Sequence, residues 1–220
     1  MIMGAWGLGK KKGWTNPYVT DGLIAMWDGE WNAGGGVHDA AATTWVDLVG
    51  GVELSAKGNP EIRSDSVHFN GTSCFGKEFS VGTIGTFEIV CESVAQSGID
   101  PEILRLDNSP VYKIYVNSNE ISCGIATVGQ FSSRLGLSKA LGSWLVSASP
   151  QKLFKNGQHI SDWNVSRALN CSGVVIGAGS TGLYRPSVCT VYCVRIYSRV
   201  LTAAEVAANY AIDKKRFNLP

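Results

Sequence analysis

The sequence has few charged residues and no long apolar run, and each of these features excludes some classes of function. Charged residues make up 17% of the 220 residues, and the formal net charge is +1. A nearly neutral chain gives no electrostatic reason to expect nucleic acid or a membrane surface as a partner. No apolar run reaches the ~18 residues of a membrane-spanning helix. The lysines at positions 10–12 follow the mildly apolar first residues, whereas a signal peptide carries its charge first. We therefore expect neither a signal peptide nor a transmembrane segment.

Metal-binding cysteine spacings are also missing. The six cysteines form no C-x-x-C pair and are not accompanied by histidine clusters, which argues against zinc. Most lie within or beside apolar, strand-like runs, at positions 74, 91, 123, 171, 189 and 193. Because buried thiols of this kind are typical of proteins made in a reducing compartment, we expect six free cysteines.

What the sequence does contain is typical of one all-β domain. Hydrophobic residues make up 45% of the chain, and the 26 glycines are spread between short apolar runs as turns between strands require. Residues 1–17 differ: they hold two tryptophans, three lysines and four glycines without periodicity. We interpret residues 1–17 as an N-terminal arm and residues 18–220 as the domain. The arm is expected to dock on a neighbouring subunit, and the alternative is that Trp6 and Trp14 cap its own core.

The most informative stretch lies near the end of the chain. Residues 191–197 are rich in β-branched and aromatic types and predict a strand. Thr202 and Glu205 then form a capping box, followed by an alanine-rich helix. Residues 194–205, V-R-I-Y-S-R-V-L-T-A-A-E, closely resemble the closing segment of the concanavalin A-like lectin/glucanase superfamily, laminin-G-like branch.

Weaker matches to this family occur in order along the chain. Residues 23–27 resemble its first strand, and residues 44–51 the W-x-D-L-S-G segment that follows. Residues 66–72 resemble its F-D-G-T turn, and residues 153–160, L-F-K-N-G-Q-H-I, its Asn-Gly hairpin. The resemblance implies an antiparallel two-sheet jelly-roll β-sandwich with one short C-terminal helix.

Within this superfamily the fold hosts both glycosidases and passive binding surfaces. The retaining glucanases carry E-x-D-x-x-E on one strand, where alternate carboxylates share a face. That triplet is absent; Asp28 and Glu30 are the nearest pair and fit a turn better. His38, His68 and His159 lack a nucleophile-elbow pattern. We therefore expect no catalytic residues and a protein that is not an enzyme.

Sugar binding requires an exposed aromatic ring and a few polar groups beside it. Trp31 beside the glycine-rich loop, His38 and Asp39 within it, and Tyr184 and Arg185 in a late loop are the candidates. The tryptophans at positions 27, 45 and 144 lie in apolar strands and are expected in the core. Calcium is common among the relatives, and the candidate ligands for it are Asp39, Asp47 and Asn70. No other cofactor is expected.

The opening of the chain, through residue 32, resembles laminin-G-like proteins encoded by phages and prophages of gut bacteria. That resemblance implies a virion or tail-associated structural or adhesion protein, located in the virion or in the cytoplasm of the producing cell, that reads host-surface glycan. Its partners would be other virion proteins, or copies of itself bound through the arm. The alternatives are a bacterial carbohydrate-binding module and a degenerate glycoside hydrolase.

Overall fold

The computed structural model describes residues 15–97, 100–107, 112–125, 129–131, 135–164 and 169–220. The arm predicted for residues 1–17 therefore lies almost wholly outside the described residues. The elements of the described part are, in chain order, β1 (Leu23–Asp28), β2 (Thr44–Val46), β3 (Glu53–Lys57), β4 (Glu61–Ile62), β5 (Val67–Asn70), β6 (Cys74–Ile84), β7 (Thr86–Ser93), β8 (Glu102–Asp107), β9 (Tyr112–Asn117), β10 (Glu120–Ile125), β11 (Gly129–Phe131), β12 (Ala140–Leu145), β13 (Gln151–Lys155), β14 (Gln158–Trp163), β15 (Leu169–Ile176), β16 (Val188–Tyr197) and α1 (Ala203–Phe217).

The strands form two antiparallel sheets of eight strands each. Sheet A has the order β14-β13-β12-β7-β16-β5-β4, with β1 also paired to β16, and sheet B has the order β11-β10-β9-β8-β15-β6-β3-β2. The predicted sandwich with one C-terminal helix is confirmed.

The core lies between the inner faces of the two sheets, where alternate strand residues meet. The predicted core tryptophans Trp27, Trp45 and Trp144 are all buried there. Trp45 packs edge-on against Phe75, and Trp144 stacks on Phe87 at a centroid distance of 5.2 Å. The alternation leaves the other residues of each strand on the outer faces of the sandwich, where ligand sites can form.

Strand β16 is the centre of sheet A. One of its edges pairs with β7 over almost its whole length, from Cys189 opposite Ser93 to Tyr197 opposite Thr86. Its other edge is shared: β5 pairs with residues 188–191 and β1 with residues 193–197. The strand predicted over residues 191–197 is confirmed, and it begins at Val188.

The predicted Asn-Gly hairpin is confirmed by its turn, and a second hairpin joins β9 to β10. Asn156 and Gly157 both have positive φ, 49° and 74°, between β13 and β14, as a tight Asn-Gly hairpin demands. Ser118, with φ 56°, joins β9 to β10.

Helix α1 packs on the outer face of sheet A. It buries Val206, Asn209, Asp213 and Phe217, which lie three to four residues apart on one helical face. The predicted capping box is present: Thr202 accepts from the Glu205 N–H, and Glu205 accepts from the Thr202 N–H. Hydrogen bonds from Arg199 and Thr202 lower the pKa of Glu205 to about 2.

No helix within the described ranges is long and apolar enough to cross a membrane.

The helix cap gives a first test of stability. Thr202→Ala removes the acceptor for a first-turn N–H and should lower the free energy of unfolding by about 0.5–2 kcal/mol, measured by urea denaturation. Thr202→Ser keeps the hydroxyl and is the matched control. If alanine and serine give the same stability, the side chain does not hold the helix start.

Candidate functional site

A buried ionic cluster joins α1 to the outer face of sheet A. The Arg195 guanidinium, 1% exposed, donates from Nε to Glu88 at 2.8 Å and from Nη1 and Nη2 to Asp213 at 3.0 and 2.5 Å. Asn209 and Ser143 also donate to Glu88, each at 2.8 Å. Burial alone would lower the pKa of Arg195, but the charges of Asp213 and Glu88 raise it overall. The charged groups of the cluster are therefore paired, and they hold α1 against β16.

The cluster continues through Tyr18 to the end of β1. Tyr18 Oη donates to Asp213 at 2.6 Å and accepts from Arg216 at 2.7 Å. Arg216 in turn forms two hydrogen bonds with Asp28, at 2.8 and 3.0 Å, and one with Glu30 at 2.7 Å. Asp28 is fully buried, and both of its oxygens accept from Arg216. Asp28 and Glu30 therefore hold the C-terminal end of α1.

Trp31 lies at the edge of the same cluster. The Arg216 guanidinium carbon is 4.2 Å from the centroid of the Trp31 ring, and the side chain is half-buried. This candidate for sugar stacking is therefore already in a cation–π contact with the protein itself.

His38 and Asp39 lie in the loop that follows, and both are exposed. The buried Asn32 amide fixes the loop, because it donates to the Asp39 carbonyl at 2.8 Å and accepts from the Asp39 N–H at 3.0 Å. The Asp39 carboxylate accepts from the Ala41 N–H at 2.8 Å. The ordering of this loop comes from Asn32, which sequence analysis did not single out.

The three candidate calcium ligands are engaged at separate places. Asp47 is buried and accepts backbone N–H bonds from Met26, Val49 and Gly50 at 2.7, 3.0 and 2.7 Å. Asn70 accepts from the Thr72 N–H at 3.0 Å. The described residues contain no group of three or more histidine, cysteine, aspartate or glutamate side chains that could hold a metal ion.

Tyr184 and Arg185 occupy the loop between β15 and β16, which lies against the outer face of sheet B. Leu183 of this loop packs against the small apolar cluster of Cys74, Val175 and Ala178. Val174 and Ile176, the neighbours of Val175, face the core. Tyr184 is 54% exposed, and the Arg185 guanidinium carbon is 5.0 Å from its ring centroid. These two candidates share one surface.

The backbone of this surface is unusual. Asp100, Leu183 and Arg185 are non-glycine residues with positive φ, 47°, 63° and 49°. Each such residue costs energy and persists only where surrounding contacts fix it. The Arg185 carbonyl accepts from the Glu102 N–H at 2.8 Å, and the Tyr184 carbonyl accepts from the Gly179 N–H at 2.6 Å. The loop is therefore tied to the start of β8.

Charged side chains gather at the same place. The Arg185 Nη1 atom lies 3.7 Å from a carboxylate oxygen of Asp100 and 3.7 Å from one of Glu102. Glu102 is buried, which raises the pKa of its carboxyl, while the nearby cations oppose the shift. Arg105 Nη1 lies 3.4 Å from Glu102, and Lys113 Nζ lies 3.1 Å from Asp100. These partners could not be predicted from the sequence, because β8 and β9 are distant from this loop along the chain.

No protein-family model matches this chain, and no curated protein sequence matches it. Similar solved structures do exist. Trypanosoma rangeli sialidase in complex with sialic acid aligns over 89% of this chain and 33% of its own, with a TM-score of 0.65 and 14% identity. The receptor-binding domain of botulinum neurotoxin C/D mosaic serotype aligns over 88% of this chain and 52% of its own, with a TM-score of 0.61 and 10% identity. The chain thus spans about a third of the sialidases it resembles.

These likenesses show the fold alone, a β-sandwich compatible with the concanavalin A-like type. They also correct one expectation. The prediction that the protein is not an enzyme, which rested on the absent E-x-D-x-x-E triplet, is wrong. The similar structures include sialidases, among them a mutant displaying trans-sialidase activity and a covalent intermediate. The fold is therefore enzyme-like.

Proposed function

We propose that the protein binds carbohydrate on the outer face of sheet B, at Tyr184 and Arg185. The observation that carries this proposal is the pairing of a mostly exposed tyrosine with an arginine held in left-handed backbone against a buried carboxylate. Strained, over-determined backbone of this kind is concentrated at ligand sites. The proposal develops one pair of the sequence-based candidates. It does not include Trp31, whose ring already contacts Arg216 of α1.

The chemistry of the surface suits a sugar. An exposed aromatic ring can pack against the C–H face of a pyranose, and nearby planar polar groups can bind its hydroxyls. Arg185, Arg105 and Lys113 supply donors and Asp100 supplies acceptors, whereas the buried Glu102 carboxylate holds the two arginines in place. The surface holds three cations and two carboxylates, so we include acidic sugars among its candidate ligands. One similar structure was obtained with sialic acid, which makes sialylated glycans the first class to try.

The biological context in which the protein binds carbohydrate is a separate proposal. A virion or tail-associated adhesion protein is suggested by the opening segment, and partners bound through residues 1–17 are suggested by the composition of that segment. A bacterial carbohydrate-binding module is the alternative setting. Phage capsid and tail genes beside the gene would support the first, and polysaccharide-utilisation genes the second.

The binding proposal is tested on a glycan array followed by calorimetry on any hit. Tyr184→Ala should weaken binding by about tenfold or more because the stacking ring is lost. Tyr184→Phe keeps the ring and should stay within about threefold of the unaltered protein. The same samples are assayed for sialoside hydrolysis, so that turnover is not mistaken for weak binding.

Two results would count against the proposal. One is an array without hits for the unaltered protein. The other is binding that Tyr184→Ala leaves unchanged, which would place the sugar elsewhere. Val49→Ala changes an exposed apolar residue at a separate turn and controls for general surface effects.

A further inference from the structure

A second surface feature lies on the opposite side of the sandwich, where α1 leaves the outer face of sheet A uncovered. The helix covers the second half of β16, and Phe217 at its end packs on Tyr192 at a centroid distance of 5.4 Å. Beyond Tyr192, a groove of about 180 Å³ runs along the first half of β16. It is lined by His68, Glu92, Ser93, Val94, Val188, Cys189 and Thr190.

Three polar side chains of the groove form one row across three adjacent strands. Thr190 of β16 pairs with His68 of β5 on one side and with Glu92 of β7 on the other. Their neighbours Val67, Cys91 and Val191 face the core, so all three polar side chains stand on the outer face. Directly paired residues have Cβ atoms about 4.5–5.5 Å apart. His68 and Glu92 therefore flank Thr190 at the spacing of groups around one sugar ring.

The row is oriented by hydrogen bonds that leave two atoms unused. His68 Nδ1 lies 3.2 Å from Thr190 Oγ1, and Tyr192 Oη donates to Glu92 Oε1 at 2.6 Å. Within the described part of the chain, neither His68 Nε2 nor Glu92 Oε2 makes a hydrogen bond. The groove therefore offers a ring nitrogen and a carboxylate oxygen to a ligand.

The end of the groove is fixed by Gln96. Its Oε1 accepts from the Val188 N–H at 2.8 Å, and its Nε2 donates to the Val188 carbonyl at 3.1 Å and to Ser93 Oγ at 3.0 Å. The amide thus takes the place of a paired strand and holds Val188 in position. Val94, which is also exposed, adds a second apolar wall against which C–H groups can pack.

Charges of both signs surround the groove. Glu61, opposite His68 on β4, pairs with Arg63 at 2.9 Å. Lys139 Nζ lies 4.3 Å from the centroid of the Tyr192 ring, at the Glu92 end, and Asp65 is close enough to raise the pKa of Tyr192. Three carboxylates and two cations surround the row, so the field does not favour an anionic ligand. A volume of 180 Å³ is also below the ~300–1,000 Å³ of sites for drug-sized ligands.

We propose that this groove is a second ligand site, which binds a single neutral sugar ring or a polyol of similar size. Glu92 and His68 bind its hydroxyl groups, Thr190 fixes their spacing, and Val94 and Val188 pack on its C–H face. The site is independent of Tyr184 and Arg185, which lie on the other sheet.

The test is a titration of the ¹⁵N-labelled full chain with free glucose, galactose, mannose and N-acetylglucosamine, followed by amide chemical shifts. At least one sugar should give saturable shifts at residues 68, 92–94 and 188–190, with a dissociation constant on the order of 1–10 mM. Thr190→Val and Glu92→Gln nearly preserve shape and should each weaken that binding by about tenfold. Tyr184→Ala should leave it unchanged.

Each result of this titration either supports or overturns the proposal. Absence of saturable shifts with all four sugars overturns the proposal, as do shifts that both groove variants retain. Shifts that disappear in Tyr184→Ala would overturn the proposal that the groove binds independently of Tyr184 and Arg185. A groove that responds while the array and Tyr184→Ala results are negative supports this inference and rejects the function proposed above. Dispersed spectra for each variant establish that it is folded.

Discussion

Arg195→Met is expected to lower the free energy of unfolding by about 3–5 kcal/mol. The guanidinium is buried and forms three hydrogen bonds with Glu88 and Asp213, both of which are fully buried. Methionine fills much of the same volume but leaves two carboxylates without their cation. Their desolvation is then uncompensated, which is the expensive half of breaking a buried pair. Urea denaturation followed by tryptophan fluorescence measures the loss.

Two further variants make this prediction specific to the buried charges. Arg63→Met breaks the exposed pair with Glu61 and should change stability by about 0–1 kcal/mol. In the Arg195→Met background, Glu88→Gln with Asp213→Asn removes the orphaned charges and should restore part of the loss. If the triple variant is less stable than Arg195→Met, the penalty does not come from unpaired charge.

Gly85→Ala should lower the free energy of unfolding by about 3 kcal/mol, the upper end for overpacking. Gly85 lies where the chain leaves sheet B after β6 and enters sheet A as β7. Its N–H donates to the Tyr197 carbonyl at 2.8 Å. A Cβ atom here would overlap the backbone carbonyl and Cα of Arg199, and backbone cannot move aside as a flexible side chain can. The turn before α1 would have to shift.

Gly182→Ala is the matched control for this change. A Cβ at Gly182 would meet its nearest atom, the Ser180 hydroxyl oxygen, at 3.4 Å, and its φ is outside the left-handed region. Its stability should stay within about 0.5 kcal/mol of the unaltered protein. Equal stabilities for the two alanine variants would show that the crossing between sheets tolerates a side chain.

Features with a local signal were predictable from the sequence. The Asn156-Gly157 turn needs positive φ at both residues, and few other residue types supply it. The start of α1 was readable because Thr202 and Glu205 have the spacing of a capping box. The strand Leu23–Asp28 was predicted from the resemblance of residues 23–27 to the first strand of the laminin-G-like family. Each of these depends on residues fewer than ten positions apart.

The sites were harder because they depend on register between distant strands. The motif that contains Arg195 does not identify its partners, although a charged residue on the helix-facing side of an otherwise apolar strand is a signal for a buried partner. The position of His68 beside Thr190 could not be predicted, because no residue near His68 in the sequence indicates that Thr190 and Glu92 lie in the same row. Tyr184 and Arg185 were found from loop position and residue type, but their partner Glu102 was not.

The pairing pattern of β16 also has a consequence for how the protein is made. On the ribosome, β1, β5 and β7 emerge long before β16, which must insert between β7 on one side and β5 and β1 on the other. Contacts between Leu23 and Tyr197 close a loop that spans most of the chain, and such contacts form slowly. Until then β5 and β7 present unpaired edges, which invite association between nascent chains. Sheet A can therefore close only after residues 188–197 have left the ribosome.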